Sequence, residues 1–171
     1  MTATTVCEAI EKISAVVSTQ PEKARAKNAP ATARLIDRLR CELSGPNGES
    51  LTTDMPPAMG GSASGPNPGW LLRSALASCH ATVIAMRAAT LGVSLTQLEV
   101  IVESESDNRG LLGLDERISA GLHALRTRVR IGAEGVSAQQ LEEIVRWADA
   151  HSPVGCTMRQ PPSQSVEVEI V

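Results

Sequence analysis

The feature that most restricts the fold of this chain is a long apolar segment, WLLRSALASCHATVIAM, at residues 70–86. Asn67 followed by Pro68 precedes it, and this pair is typical of a helix N-cap with a first-turn proline. Apolar residues then recur at steps of four and three along one stripe, which consists of Leu72, Leu76, Cys79, Val83 and Met86. A helix this apolar does not suit an exposed surface, so we expect it to be covered on most sides, partly by a partner subunit.

Shorter patterned segments precede this helix. Apolar residues at helical spacing predict a helix near the N-terminus, and Pro21 and Pro30 interrupt the sequence that follows. Residues 1–31 are therefore predicted to form an N-terminal helix and linker, and residues 32–171 the main domain. From residue 32 the apolar period changes to two, which predicts one strand over ARLIDRLRCE, a turn at SGPNGES and a second strand near LTTD.

Alternating patterns also follow the apolar helix. Two segments, LTQLEVIVESE and LHALRTRVRI, predict strands that each have one solvated face. Ser137 and Gln140 then form a capping-box signature, which predicts the start of another helix. The last segment, QSVEVEIV, predicts a strand that buries Val166, Val168 and Ile170. The element order with its short connections indicates an α+β fold with mainly antiparallel sheets.

Composition narrows the classes of function. The 171 residues include two Trp and no Phe or Tyr, and the net charge is −3 without a basic cluster, which disfavours nucleic-acid binding. No apolar run reaches the ~20 residues that span a bilayer, and no secretory signal is recognised, so we expect a cytoplasmic protein that does not bind membranes. The four cysteines and three histidines lack metal-ligand spacing, and no metal site is predicted.

Cys79 is the residue of greatest chemical interest, and its position has two interpretations. Free cysteine often packs as a small hydrophobe, and Cys79 lies too far from the helix start for the helix dipole to activate it. Activation would need an arginine. ARLIDRLRCE contains Arg34, Arg38 and Arg40 at even spacing, which would place them on one face of a single strand, although a solvated face has the same pattern. His80 points about 100° away from Cys79 on a helix, which indicates a buried or interface histidine rather than a catalytic partner.

Two further segments contain candidate functional residues. In AHSPVGCTMRQP, Ser152 before Pro153 predicts the start of a short helix, with Cys156 one turn later on the same face. GGSASGPNPG lacks the spacing and the lysine of a phosphate-binding loop, so it is interpreted as a loop over a site or a connection rich in turns.

The chain resembles the OsmC/Ohr family of thiol-dependent hydroperoxide reductases. The resemblance rests on the order and separation of three segments, GGSASGPNPGWLLRSALASCHA, LGVSLTQLEVIVE and HSPVGCTM. The resemblance extends from about residue 32 to the C-terminus. It implies an intertwined homodimer with long central helices, outer sheets and two active sites at the subunit interface. The N-terminal helix and the RGLLGLDE insertion are typical of a subgroup.

The resemblance also implies roles for individual residues. Cys79 matches the cysteine that attacks the peroxide and becomes a sulfenic acid, and an arginine from the first strand, Arg38 or Arg40, would stabilise its thiolate. The apolar substrate pocket would be lined by Leu76, Val83, His80 and Ser152.

Two positions depart from the family pattern. Ser152 occupies the place of the second, resolving cysteine, so either Cys156 or an external dithiol would resolve the sulfenic acid. Gly69 occupies the place of a carboxylate that orients the arginine in Ohr-type members.

Three functions fit these observations. The favoured one is a thiol peroxidase for organic hydroperoxides in oxidative stress, with no bound cofactor. The second is a non-catalytic OsmC-like dimer that binds a small hydrophobic ligand in an interface pocket. The third is a partner-binding protein that uses its N-terminal helix.

Overall fold

A computed structural model describes residues 3–171, with side chains from residue 5 onward. The helices are α1 (Ala3–Thr19), α2 (Pro68–Thr90), α3 (Asn108–Leu111), α4 (Ala138–His151) and α5 (Pro153–Arg159), and short 3₁₀ turns lie at Pro21–Ala24 and Pro57–Met59. The strands are β1 (Thr32–Asp37), β2 (Arg40–Ser44), β3 (Ser50–Thr53), β4 (Leu95–Glu105) and β5 (Ala124–Ala133). Two compact units result: one contains Leu76–Val171 and the N-terminal residues up to Glu8, and the other contains Ala9–Ala75.

The unit of Ala9–Ala75 contains a three-stranded antiparallel sheet in the order β1, β2, β3. The prediction of one strand over ARLIDRLRCE is wrong, because the chain reverses at Arg38 and Leu39 and pairs Asp37 with Arg40. Arg38 has a φ of +49°, which the sequence does not indicate because neither turn residue is Gly, Asn or Asp. Arg34, Arg38 and Arg40 therefore do not form one row on a single strand.

Asp54 organises the loop between β3 and α2, and this residue is only 2% exposed. One carboxylate oxygen accepts hydrogen bonds from the backbone N–H and hydroxyl groups of both Ser62 and Ser64, and the other accepts from Met55 N. The Ser62 hydroxyl and the Ser64 N–H are the main reasons why the pKa of Asp54 lies well below its usual range. The GGSASG segment is thus tied to a buried carboxylate.

The helix α2 begins as the sequence predicts. The Asn67 side chain accepts a hydrogen bond from Trp70 N at 2.8 Å, and Pro68 is the first helical residue. Of the predicted apolar stripe, Leu76 is buried and Cys79 and Val83 are partly buried, whereas Leu72 and Met86 are exposed within the single chain. The buried face contains Leu76, His80, Ile84, Ala88 and Ala89 instead. This face includes His80, which is buried with two polar partners that an apolar pattern does not reveal.

In the other unit, α2 and α4 pack over the sheet of β4 and β5. Their buried contact consists of Ile84, Ala88, Ile144 and Ala148, and it is extended by partly buried residues of both strands, including Leu98, Val100, Val129 and Ile131. The antiparallel pairing of β4 with β5 confirms the two predicted strands and their solvated face. On that face, Arg128 pairs with Glu103 and Arg130 pairs with Glu99, each at 2.9 Å.

The prediction of a C-terminal strand over QSVEVEIV is wrong. The residues after α5 form no helix or strand, and Val166, Val168 and Ile170 are at least 80% exposed. A strand needs backbone hydrogen bonds to a neighbour as well as alternating side chains, and no strand of the described chain pairs with this segment. Among residues 3–171, no helix is long and apolar enough to cross a membrane.

Candidate active site

The contact of greatest chemical interest joins α2 to the start of α5. The Ser152 hydroxyl donates a hydrogen bond to the Cys79 sulfur at 3.2 Å. Ser152 is fully buried, whereas Cys79 is partly exposed and remains a free thiol. The site therefore combines a fully buried polar group with a cysteine residue that is partly exposed in this chain.

Helix capping explains why Ser152 lies there with its proton directed at sulfur. Ser152 ends α4 and is the N-cap of α5, with Pro153 in the first turn, as the sequence predicts. Its Oγ accepts a hydrogen bond from Gly155 N at 3.2 Å. Since this bond uses a lone pair and leaves the hydroxyl proton free, Ser152 can act as donor to Cys79.

His80, the next residue after Cys79, is 5% exposed. Each of its ring nitrogens lies within hydrogen-bond distance of an oxygen atom of the chain. Its Nδ1 is 3.1 Å from the Leu76 carbonyl oxygen, and its Nε2 is 3.0 Å from Asp149 Oδ1. The expectation of a buried histidine is confirmed. Its predicted role in substrate binding stays a prediction, although both ring nitrogens already have partners within the chain.

Asp149 and Arg159 complete this cluster, and the sequence analysis identified neither. Arg159 donates from Nη1 to Asp149 Oδ1 at 3.0 Å and from Nη2 to the Asp149 carbonyl oxygen at 2.6 Å. The hydrogen bond with His80, followed by the interaction with Arg159, lowers the pKa of Asp149 below its usual range. The only signal in the sequence is that Asp149 lies three residues before Ser152, and this spacing alone does not predict a partner on α2.

Cys156 lies at the same junction and is partly exposed. Its thiol donates to the Ala150 carbonyl oxygen at 3.3 Å, and Arg159 Nη2 lies 3.5 Å from its sulfur. Cys156 is one turn after Ser152 on α5, as predicted, and it is a free thiol. Its role as a resolving cysteine stays a prediction.

The other predicted site residues lie on α2, in the β1–β2 turn and on β2. Leu76 is buried on α2 and Val83 is partly buried on the same helix. Arg38 is exposed in the β1–β2 turn, and Arg40 lies in β2 with a buried Nε that has no hydrogen-bond partner among the described residues. Both arginines belong to the unit of Ala9–Ala75, and their role in activating Cys79 stays a prediction.

Gly69 occupies the first turn of α2, where the family resemblance implies a carboxylate. A side chain there would meet Asn67 Oδ1 at 3.3 Å and Arg73 Nη1 at 3.8 Å. An acidic side chain would therefore approach both the N-cap oxygen and a guanidinium group. No group of three or more His, Cys, Asp or Glu residues in the described part of the chain is arranged to hold a metal ion.

Known proteins share this architecture. An OsmC-like protein from Mycoplasma pneumoniae is 18% identical, with a TM-score of 0.68 over 80% of this chain and 91% of its own. An organic hydroperoxide resistance protein OsmC from Legionella pneumophila is 20% identical, with a TM-score of 0.59 over 80% and 92% of the two chains. The organic hydroperoxide resistance protein OhrB of Bacillus subtilis is 19% identical, with a TM-score of 0.53 over 79% and 93%.

These similarities identify the fold, and the sequence profile identifies the family. A search of curated protein sequences finds no match. The profile described as OsmC-like protein matches residues 61–167, which is more than half of the chain and includes both Cys79 and Ser152. On this evidence, the chain belongs to the OsmC-like protein family.

Proposed function

We propose that this protein reduces organic hydroperoxides with Cys79 as the nucleophile. The observation that carries the proposal is the hydrogen bond from the buried Ser152 hydroxyl to the Cys79 sulfur. A hydroxyl donor at this distance favours the negatively charged form of its acceptor, and the thiolate is the form that attacks peroxides. Relatives with this fold are named organic hydroperoxide resistance proteins, which supports the choice of substrate class.

The reaction begins with attack of the Cys79 thiolate on the terminal oxygen of ROOH. The O–O bond breaks, an S–O bond forms, and the alkoxide leaves as ROH after it takes a proton. Cys79 is thereby oxidised to a sulfenic acid and the hydroperoxide is reduced to an alcohol. The Ser152 hydroxyl remains positioned to donate a hydrogen bond as charge moves off the sulfur.

A thiol must then reduce the sulfenic acid, with the release of water and the formation of a disulfide. Ser152 cannot supply this thiol, although it occupies the place of the family's second cysteine. Cys156, one turn further along α5, is the candidate within the chain, and an external dithiol is the alternative. In either case an external thiol reductant regenerates the enzyme, and we expect the working form to be a homodimer.

Intact-mass spectrometry after one equivalent of cumene hydroperoxide tests this function. The variants are Cys79→Ser, Cys156→Ser and Cys41→Ser, the last being a control because Cys41 is another partly exposed free cysteine. We expect the wild type and Cys41→Ser to be oxidised rapidly and Cys79→Ser to resist. Resolution by Cys156 predicts the loss of two hydrogens in the wild type and a trapped sulfenic acid in Cys156→Ser.

Two other outcomes are informative. A sulfenic acid that can be trapped in the wild type itself would indicate that an external thiol resolves Cys79. No Cys79-dependent oxidation would contradict the proposed peroxidase and favour the second candidate, a dimer that binds a small hydrophobic ligand. Retention of a lipid-like ligand through purification would then support that candidate.

A further inference from the structure

The proposed peroxidase reaction assigns no role to the buried, titratable side chain of His80. Its Nδ1 and Nε2 both face oxygen acceptors, the Leu76 carbonyl and the Asp149 carboxylate. A neutral imidazole carries a proton on only one nitrogen, so in either tautomer a nitrogen lone pair would face an oxygen. Both contacts are hydrogen bonds when the ring is an imidazolium.

A proton on Asp149 instead of His80 would satisfy the second contact, but the surroundings of Asp149 oppose it. The same Oδ1 atom accepts a hydrogen bond from Arg159 Nη1 at 3.0 Å, and the pKa of Asp149 is lowered. A cation with 5% exposure also requires a charged partner, because burial of an unpaired charge is very costly. Asp149 from α4, supported by Arg159 from α5, provides the negative charge that His80 needs.

The position of this ion pair connects it to the reactive sulfur. Cys79 and His80 are consecutive on α2, and their partners, Ser152 and Asp149, are three residues apart where α4 ends. The two contacts therefore attach the same part of α2 to the same helix junction. Loss of the ion pair would free the junction that presents Ser152 to Cys79.

We propose that Asp149 is a positioning residue for Cys79: it pairs with His80 as a buried imidazolium and thereby holds the helix junction, and Ser152 with it, against the Cys79 sulfur. The inference rests on the proposed thiol chemistry of Cys79 for its functional meaning. The charge arrangement can nevertheless be measured without any peroxide. A hydrogen bond to the sulfur favours the thiolate, so Asp149 would act on Cys79 through the position of Ser152.

The test uses the full-length wild type, Asp149→Asn and the control Glu142→Gln. Glu142 also forms an ion pair on α4, with Arg146 at 3.0 Å, but both partners are exposed and lie outside the cluster. The first measurement is the ¹⁵N NMR signature of the His80 ring at neutral pH. The second is the rate at which iodoacetamide alkylates Cys79, followed by mass spectrometry.

We expect two protonated ring nitrogens in the wild type and in Glu142→Gln, and a neutral ring in Asp149→Asn. Alkylation of Cys79 should be about tenfold slower in Asp149→Asn, as expected if the Ser152 hydroxyl no longer donates to the thiolate, and unchanged in Glu142→Gln. A solvent-exposed imidazole is also mainly neutral at neutral pH, so the comparison is made on variants whose circular dichroism shows a folded chain.

A neutral His80 in the wild type would overturn the proposal by itself, even if Asp149→Asn did not fold. An unchanged alkylation rate in a folded Asp149→Asn variant would also overturn it. Neither measurement depends on peroxide, so failure of the peroxidase function in the cumene hydroperoxide experiment can be distinguished from failure of this inference.

Discussion

Replacement of Ser152 by alanine tests how much the centre of the site contributes to stability. Ser152 is fully buried, and its Oγ is the acceptor for Gly155 N at 3.2 Å and the donor to Cys79 Sγ at 3.2 Å. Alanine removes both hydrogen bonds and leaves the buried Gly155 N–H without its acceptor. It also removes the N-cap of α5.

The cost follows mainly from the unsatisfied N–H group. A buried donor that loses its partner costs about 1–3 kcal/mol. The N-cap bond of α5 is this same hydrogen bond from Gly155 N. The cost of losing the cap is therefore not added to the cost of the unsatisfied N–H group. We therefore expect Ser152→Ala to lower the free energy of unfolding by about 2 kcal/mol.

Urea unfolding at one fixed protein concentration measures this loss. With a slope of about 2 kcal/mol per molar urea, the midpoint should fall by about 1 M. Ser137→Ala is the matched control, because Ser137 is the N-cap of α4 and forms the same kind of bond, to Gln140 N, at an exposed position. Water can replace that bond, and the control should lose about 1 kcal/mol or less.

The comparison between the two variants shows whether burial of the N–H group causes the larger loss of stability in Ser152→Ala. If Ser152→Ala loses no more stability than Ser137→Ala, the reasoning from the buried Gly155 N–H is wrong. The alkylation rate of Cys79, measured on the same samples, should fall in Ser152→Ala alone, because only this variant removes a donor from the sulfur.

Three further predictions follow from the same structure. Ile84→Ala removes a fully buried side chain from the core and should cost about 3 kcal/mol; the same substitution at Ile13, which is 57% exposed, should cost within about 0.5 kcal/mol in urea unfolding. The lowered pKa of Asp54, caused chiefly by a serine hydroxyl, means that its stabilising effect is complete above about pH 4, the value for a free carboxyl, and is lost as pH falls toward the folded-state pKa. Urea midpoints should therefore show that Asp54→Asn destabilises the protein at neutral pH and that the difference shrinks in acid; a constant difference would contradict this. Ser152→Cys places a thiol where an oxygen now lies 3.2 Å from the Cys79 sulfur, so one equivalent of hydroperoxide should produce a reducible disulfide, seen as the loss of two hydrogens by mass spectrometry, and two persistent free thiols would refute it.

Helix starts were the most predictable part of this fold. The N-caps at Asn67, Ser137 and Ser152 all accept the expected backbone hydrogen bond. Each bond reaches only three residues along the chain, so the residues that determine it are adjacent in sequence. The antiparallel α+β class was predictable for the same reason, because short connections leave few ways to pair neighbouring strands.

The β1–β2 turn and the C-terminal segment were less predictable, because alternation describes side chains and not backbone pairing. ARLIDRLRCE contains an alternating pattern, yet the chain reverses within it at Arg38 and Leu39. QSVEVEIV alternates as well, and it pairs with no strand of the described chain. Strand formation depends on a neighbour, which is a property of the assembled sheet.

The sequence by itself determined the long apolar helix, its capped start, the position of Cys79 on it and the motifs of the OsmC-like family. Only the tertiary structure decided what surrounds the sulfur. Ser152 and Asp149 lie 73 and 69 residues from their partners, Cys79 and His80. Such pairs form because α2 and α4 share a buried apolar cluster that contains Ile84 and Ile144. The apolar pattern that drives this packing carries no information about which polar side chains it will bring together.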